Sequence, residues 1–204
     1  EILHKTKMTS NTTPSPYVVS ASSTTSTSIY PAWKAFNGTA LDANDTWLTA
    51  TSDANTGWIQ IDFGEKRKVN SFHLTARYVT SSWDSMRLGM VKDFKILGSD
   101  NGTTFFDIGE VKNQTDWVTG EKRLFMLKKT YNYRYYRLQI VQNNGLQYTS
   151  IGGLLFSYTE PLTQLPSNSA ENFINYGFSS FENFNSINMG KSYILQDTVS
   201  ENAD

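Results

Sequence analysis

Cysteine is absent from the 204 residues. That excludes disulfides, thiolate metal sites and a cysteine nucleophile. Histidine is scarce, with His4 and His73 alone. A zinc centre built on two or three histidines needs more. A Ser-His-Asp relay needs a histidine beside an acid and a nucleophile, and neither position marks one. Charge is sparse and balanced: 18 basic residues face 19 acidic ones, for a formal net charge of −1. Such a chain has no long-range field to collect a phosphate backbone or anionic lipid, so neither nucleic acid nor membrane insertion is expected. No apolar run reaches the roughly 18 residues of a helical membrane span. Residues 1–10 are polar beyond Ile2 and Leu3 and do not read as a signal peptide.

What is abundant points the other way. Aromatics make up 14% of the chain, among many Thr, Ser and Asn residues. Aromatic and β-branched residues favour strands, and Ser, Asn and Gly favour turns. Residues 57–64 place Ile59, Ile61 and Phe63 on one face and Trp58, Gln60 and Asp62 on the other. Residues 66–77 keep that period through Phe72, Leu74 and Ala76, and residues 93–99 supply Phe94 and Ile96. Asp100-Asn101-Gly102 reads as a hairpin turn into a strand over 103–109. Further strands are expected at 122–129, 133–142 and 150–158, with one helical turn at 31–36 opened by Pro31. Short strands separated by turn signals indicate an all-β antiparallel sandwich.

The flanks differ in character. Residues 1–16 read as a linker or N-terminal extension, because residues 8–16 carry two prolines among hydroxyl side chains. The sandwich is expected over 17–158. Residues 159–204 hold Pro161 and Pro166 and then Phe173, Tyr176, Phe181, Phe184 and Ile187 at helical spacing. They read as a linker followed by the start of a second module or a short docking segment. Helices so short do not stand alone in water, so other modules of the same or a neighbouring chain are expected partners.

In order along the chain stand Ala32-Trp33-Lys34-Ala35-Phe36-Asn37-Gly38 with Thr46-Trp47, then Trp58-Ile59-Gln60-Ile61-Asp62-Phe63-Gly64. Next come Leu74-Thr75-Ala76-Arg77, Gly89, the segment from Lys92 to Gly102, and Tyr135-Tyr136-Arg137-Leu138. Together these blocks resemble the coagulation factor V/VIII type C, or discoidin, domain, and within it the bacterial family 32 carbohydrate-binding modules. The resemblance implies a jelly-roll-like β-sandwich and a galactose-binding-like module that holds a glycan without catalysis. It also implies an extracellular, cell-surface or virion location. The flanks resemble phage tail and appendage proteins of Gram-positive hosts, which implies host recognition through a cell-wall sugar. The rival reading is a structural or adaptor domain that binds protein.

The same resemblance implies two sites. A structural calcium ion would lie in the loop of Asn37, Asp42, Asp45 and Thr46, although Asn37 and Gly153 stand where the family often has acids. The alternative is a loop pinned by Asx turns. The ligand site would lie at one rim, with Arg77 donating to hydroxyls and Trp83 as a stacking platform. Asp84, Asn143, Asn144 and Tyr148 complete it, with a turn-forming role as the other reading for the two asparagines. Leu48 follows Trp47 where galactose binders often carry histidine, so galactose itself is not implied. Trp47 and Trp58 read as core, and Trp117 is left unplaced. Carboxylates that could pair across a glycosidic bond exist, at Asp42, Asp45, Asp53, Asp62 and Asp84. No motif joins any two of them, and the expectation is a protein that is not an enzyme.

Overall fold

The computed structural model describes residues 1–160, apart from the side chains of residues 81–83. The helices expected after residue 170 lie outside the described residues. Among the described residues nine strands follow in order: β1 (Ile2–Leu3), β2 (Val18–Ala21), β3 (Trp47–Leu48), β4 (Trp58–Thr75), β5 (Val91–Ser99), β6 (Phe106–Val111), β7 (Lys122–Asn143), β8 (Ser150–Ile151) and β9 (Gly153–Tyr158). All pairings are antiparallel.

Two strands do most of the organising. The start of β4 pairs with β2, Val19 opposite Ile61, and with the end of β7, Ile61 opposite Tyr136. Its end pairs with β9, Phe72 opposite Phe156, and with the start of β7, Phe72 opposite Phe125. The register of β4 against β7 shifts between Asp62 and Arg67 and again between Val69 and Ser71. At these irregularities both strands bend out of one layer into the other, as strands do at sandwich corners. One layer thus holds β2, the start of β4, the end of β7, β5 and β6. The other holds β1, β9, the end of β4 and the start of β7. The sequence pattern shows two strands on each side of these bends, and the structure joins each pair into one. Gly64 marks the first bend. Its φ is +76°, and a Cβ there would lie 2.6 Å from Pro16 Cβ, so only glycine fits.

The alternating apolar faces meet between the layers. Ile59, Ile61, Phe72, Leu74, Phe94, Ile96, Tyr136 and Leu138 are all fully buried. Rings from the two layers touch: Phe72 lies 6.2 Å from Phe94, and Tyr136 lies 5.1 Å from Phe156. Each buried side chain of this size contributes about 1.5–3 kcal/mol relative to exposure. Trp47 is buried as expected. Trp58 is only half-buried, and its ring carries the Arg137 guanidinium at 4.0 Å. Trp117 is 2% exposed, and its Nε1–H donates to the Val91 carbonyl at 3.1 Å.

The N-terminal segment departs from its reading as a linker. Ile2 and Leu3 pair with Tyr158 and Ser157, and Met8 is sealed in the core. His4 Nε2 donates to the Lys68 carbonyl at 2.7 Å, and the ring rests 5.7 Å from Phe63. A single methionine among polar residues gives no periodic signal, which is why the pattern does not show this docking. The turn expected at 31–36 is a 3-10 helix, Ala32–Phe36, with Pro31 one place earlier as its cap. The strand expected over 103–109 begins later, at Phe106. The Ser99 hydroxyl accepts the Asn101 and Gly102 N–H groups and so extends the turn.

Candidate functional site

At one end of the sandwich the connections are tied to one another by side-chain amides and hydroxyls. The loop after β4 continues into a 3-10 helix, Ser81–Gly89, and is held by Val79 N–H donating to Thr119 Oγ1 at 2.7 Å. The loop after β7 is closed by Asn143. Its Nδ2 donates to the Leu146 and Tyr148 carbonyls, at 2.8 and 3.1 Å, and its Oδ1 accepts Gly145 N–H. Asn143 is 3% exposed, so the turn-forming role describes its geometry. Asn144 Nδ2 donates to Met90 O at 2.9 Å and Gln114 O at 3.0 Å. One amide therefore joins three loops, and Oδ1 is its remaining hydrogen-bonding atom.

The expected site residues do not all converge. Asp84 and Asn144 line a cavity of about 320 Å³ with Arg87, Thr115, Asp116 and Trp117. Asn143 and Asn144 line an adjoining cavity of about 240 Å³ with Asn55, Lys92, Thr115 and Gln142. Thr115 and Asn144 belong to both. Tyr148 is half-buried, its hydroxyl against Met86 sulfur, and lines neither cavity. Trp83 lies in the same 3-10 helix as Asp84, but its side chain lies outside the described residues.

Arg77 requires a correction. It was expected as an open donor at the rim, and the structure gives it 5% exposure. Its Nε–H donates to the Ala43 carbonyl at 2.8 Å, and its guanidinium lies 5.3 Å from the Tyr30 ring centroid. It lines neither cavity. The physical reason is that the loop before Trp47 lies over the end of β4, where the Ala43 carbonyl and the Tyr30 ring take up the guanidinium.

Arg87 is the cavity cation that sequence reasoning missed. Its Nε–H donates to Asp84 Oδ1 at 2.6 Å, its Nη2 donates to Asp84 Oδ2, and its Nη1 donates to the Trp117 carbonyl. The signal was available, because Asp84 and Arg87 are three apart and share a face of a helical turn. The hydrogen bond from Arg87 holds the Asp84 carboxyl below its ordinary pKa. A general acid for glycoside cleavage needs the opposite displacement. The other acids named above for such a pair are engaged in the scaffold. Asp62 takes a bidentate bond from Arg134 at 2.7 and 2.8 Å, and Asp42 Oδ1 accepts the Asn44 and Asp45 N–H groups. Hydrogen bonds from Ser23 and Ser22 lower the pKa of Asp53.

The loop named for calcium is organised around a carboxylate. Asp45 Oδ2 accepts Thr39 Oγ1–H at 2.6 Å, Ala40 N–H at 2.7 Å and Leu41 N–H at 3.0 Å. Asp45 Oδ1 accepts Asn37 Nδ2–H at 2.5 Å. Burial pushes this carboxyl up, and the four donors together more than offset it, so its pKa lies below the ordinary value. Thr46 is buried, with its hydroxyl donating to the Trp47 carbonyl. Calcium takes six to eight oxygens, usually with several carboxylates. Here the inward carboxylate faces donors, Asn37 presents its N–H side, and no cluster of three acids or histidines able to hold a metal exists among the described residues. As arranged, these residues do not fit the ion.

Comparison with known proteins places this architecture. A comparison with curated proteins found no match. Solved structures similar to this chain include a module from Clostridium perfringens in complex with GalNAc-β-1,3-galactose. It has a TM-score of 0.57 and 18% identity over 70% of this chain and 95% of that one. The family 32 carbohydrate-binding module of C. perfringens NanJ, in complex with galactose, gives a TM-score of 0.54 at 22% identity, covering 69% and 92%. The family 32 module of Streptococcus pneumoniae EndoD gives 0.56 at 18% identity, covering 71% and 97%. These likenesses show the fold, a galactose-binding-like β-sandwich. The F5/8 type C domain model matches residues 18–154, from the first long strand pairing to the last strand, and the chain belongs to that family.

Proposed function

We propose that this chain is a non-catalytic glycan-binding module, anchoring a larger extracellular, cell-surface or virion assembly, such as a phage tail, to a surface sugar. The observation that carries the reading is the pair of adjoining cavities meeting at Asn144 and Thr115, where amides and hydroxyls stand beside the Asp84–Arg87 ion pair, with Asp116 in one lining and Lys92 in the other. Neutral groups of this kind exchange hydrogen bonds with sugar hydroxyls without the desolvation cost of an unpaired charge. Trp83 and Tyr148 supply the flat surfaces, and Asn144 Oδ1 and Gln142 the polar contacts. Arg77 acts as a positioning residue that holds the loop at Ala43. The structural neighbours crystallised with GalNAc-β-1,3-galactose, galactose and, for a lectin domain, Lewis B antigen support sugar as the ligand class.

A glycan array probed with the chain and with Trp83→Ala and Gln142→Ala tests this. The expected result is retention of a small set of neutral glycans, weakened about tenfold, or about 1.4 kcal/mol, by either change. The rim also exposes Leu41 at 75%, Val118 at 55% and Leu88 at 46%, which favours a protein-binding adaptor as the second reading. An array with no retained glycan, or with retention indifferent to both substitutions, decides for the adaptor.

A further inference from the structure

A larger groove, of about 870 Å³, shares no lining residue with either rim cavity. Its lining includes Lys5, Thr6 and Lys7 of the N-terminal segment, Trp33 of the 3-10 helix bonded to that segment, and Lys122 at the start of β7. The N-terminal part of the lining precedes residues 18–154, whereas Trp33 and Lys122 lie within them, so the groove is completed by a segment outside the family match.

Its chemistry is one-sided. Lys5, Lys7 and Lys122 line the groove and are exposed, and no Asp or Glu lines it. None of the three lysines is in an ion pair among the described residues. Of the acids nearby, Glu121 is paired with Arg123 at 2.7 Å and accepts Val118 N–H at 2.9 Å, Asp45 is bonded to four neutral donors, and Glu1 acts with Lys122 on His73 outside the lining. On a chain of net charge −1, three ammonium groups without an ion-pair partner among the described residues, in one concavity lined by no acid, are a local feature and not a reflection of composition. Thr9, Thr39 and Asn37 add neutral hydrogen-bonding groups, and the half-buried Trp33 indole adds an aromatic surface.

We propose that this groove binds an acidic saccharide chain, its carboxylate or phosphate ester groups held by Lys5, Lys7 and Lys122 and a sugar ring packed against Trp33. The lysines supply attraction that salt screens. The ring contact distinguishes a sugar polyanion from any other polyanion.

Affinity electrophoresis of the whole chain in gels containing polygalacturonate, phosphomannan, polyglutamate or neutral dextran tests the assignment. Retardation is expected in at least one of the first two, and which of them retards the chain names the anionic group. The Lys5→Ala/Lys7→Ala/Lys122→Ala variant should weaken that retardation at least about tenfold with an unchanged melting temperature, since the replaced groups are exposed and unpaired. Gln142→Ala, in the rim, should leave it unchanged. The proposal is overturned if neither acidic polysaccharide retards the chain, if the triple variant is retarded equally, or if polyglutamate retards it as strongly. Loss of retardation on Gln142→Ala would move the ligand to the rim and also overturn it.

Discussion

Replacing Asp45 with alanine removes the acceptor around which the loop of residues 37–46 is folded. Four donors lose their partner: Asn37 Nδ2, Thr39 Oγ1, Ala40 N and Leu41 N. Hydrogen bonds to a charged group are worth about 1.5–3 kcal/mol each when buried. Here Thr39 and Leu41 are exposed and water replaces most of their loss, whereas Ala40 is buried and Asn37 half-buried. The ionised acceptor's loss to those two gives a cost of about 2–3 kcal/mol. For a domain of this size, that lowers the melting temperature by about 5–10 °C. The effect has a sign in pH. The folded carboxyl has a lowered pKa, so its contribution is complete above the ordinary carboxylate value of about 3.9 and fades as pH falls through the folded value. Differential scanning calorimetry of both proteins at pH 7 and pH 3, with and without EDTA, reads all of this. The gap should be wide at pH 7 and narrower at pH 3, with EDTA shifting neither melting curve. Equal melting temperatures at pH 7, or a wild-type curve lowered by EDTA, would refute the carboxylate-centred loop.

Two further perturbations probe the scaffold. His73 lies in mid-strand with Nδ1 buried and unpartnered, and burial, helped by Lys122 and opposed by Glu1, lowers its pKa. The unfolded chain then takes the proton first, so stability should fall as pH drops below about 6.5. His73→Gln should flatten that slope without abolishing it, because burial lowers His4 as well; identical slopes in thermal melts from pH 7.5 to 5.5 would count against it. A methyl group at Gly98 would overlap the Tyr133 ring, which stacks on Phe106. Gly98→Ala should cost about 1–3 kcal/mol by urea midpoint, and a neutral result would show that the ring is free to move.

The sheet was legible because its inward positions alternate without a break: Ile59, Ile61 and Phe63, then Phe72 and Leu74, carry period two on their own. Where the strands bend was not legible. The bend at Gly64 depends on Pro16 lying against it, a contact between residues far apart in sequence. The site divides in the same way. Asp84 and Asn144 were expected at one rim, and the structure brings them to one cavity, Asp84 from a 3-10 helix and Asn144 from the loop after β7. Arg77 misled because an arginine at a strand end looks open until the loop that covers it is placed. Met8 and Lys122 were silent for the converse reason. The concavity they line exists only once the N-terminal segment lies along β9, and no periodic pattern announces a strand of two residues.

The pairing of Ile2 with Tyr158 brings the two ends of the domain out side by side. They leave beside Asn70, whose side chain holds Thr159 by bonds of 2.7 and 2.9 Å, at the opposite pole from Arg77 and the tied loops. Tension arriving through residue 160 is therefore delivered to the rear of the molecule. Such load falls first on the pairing of β9 with β1 and β4, a backbone ladder, and only then on the loops that Asn143 and Asn144 tie together.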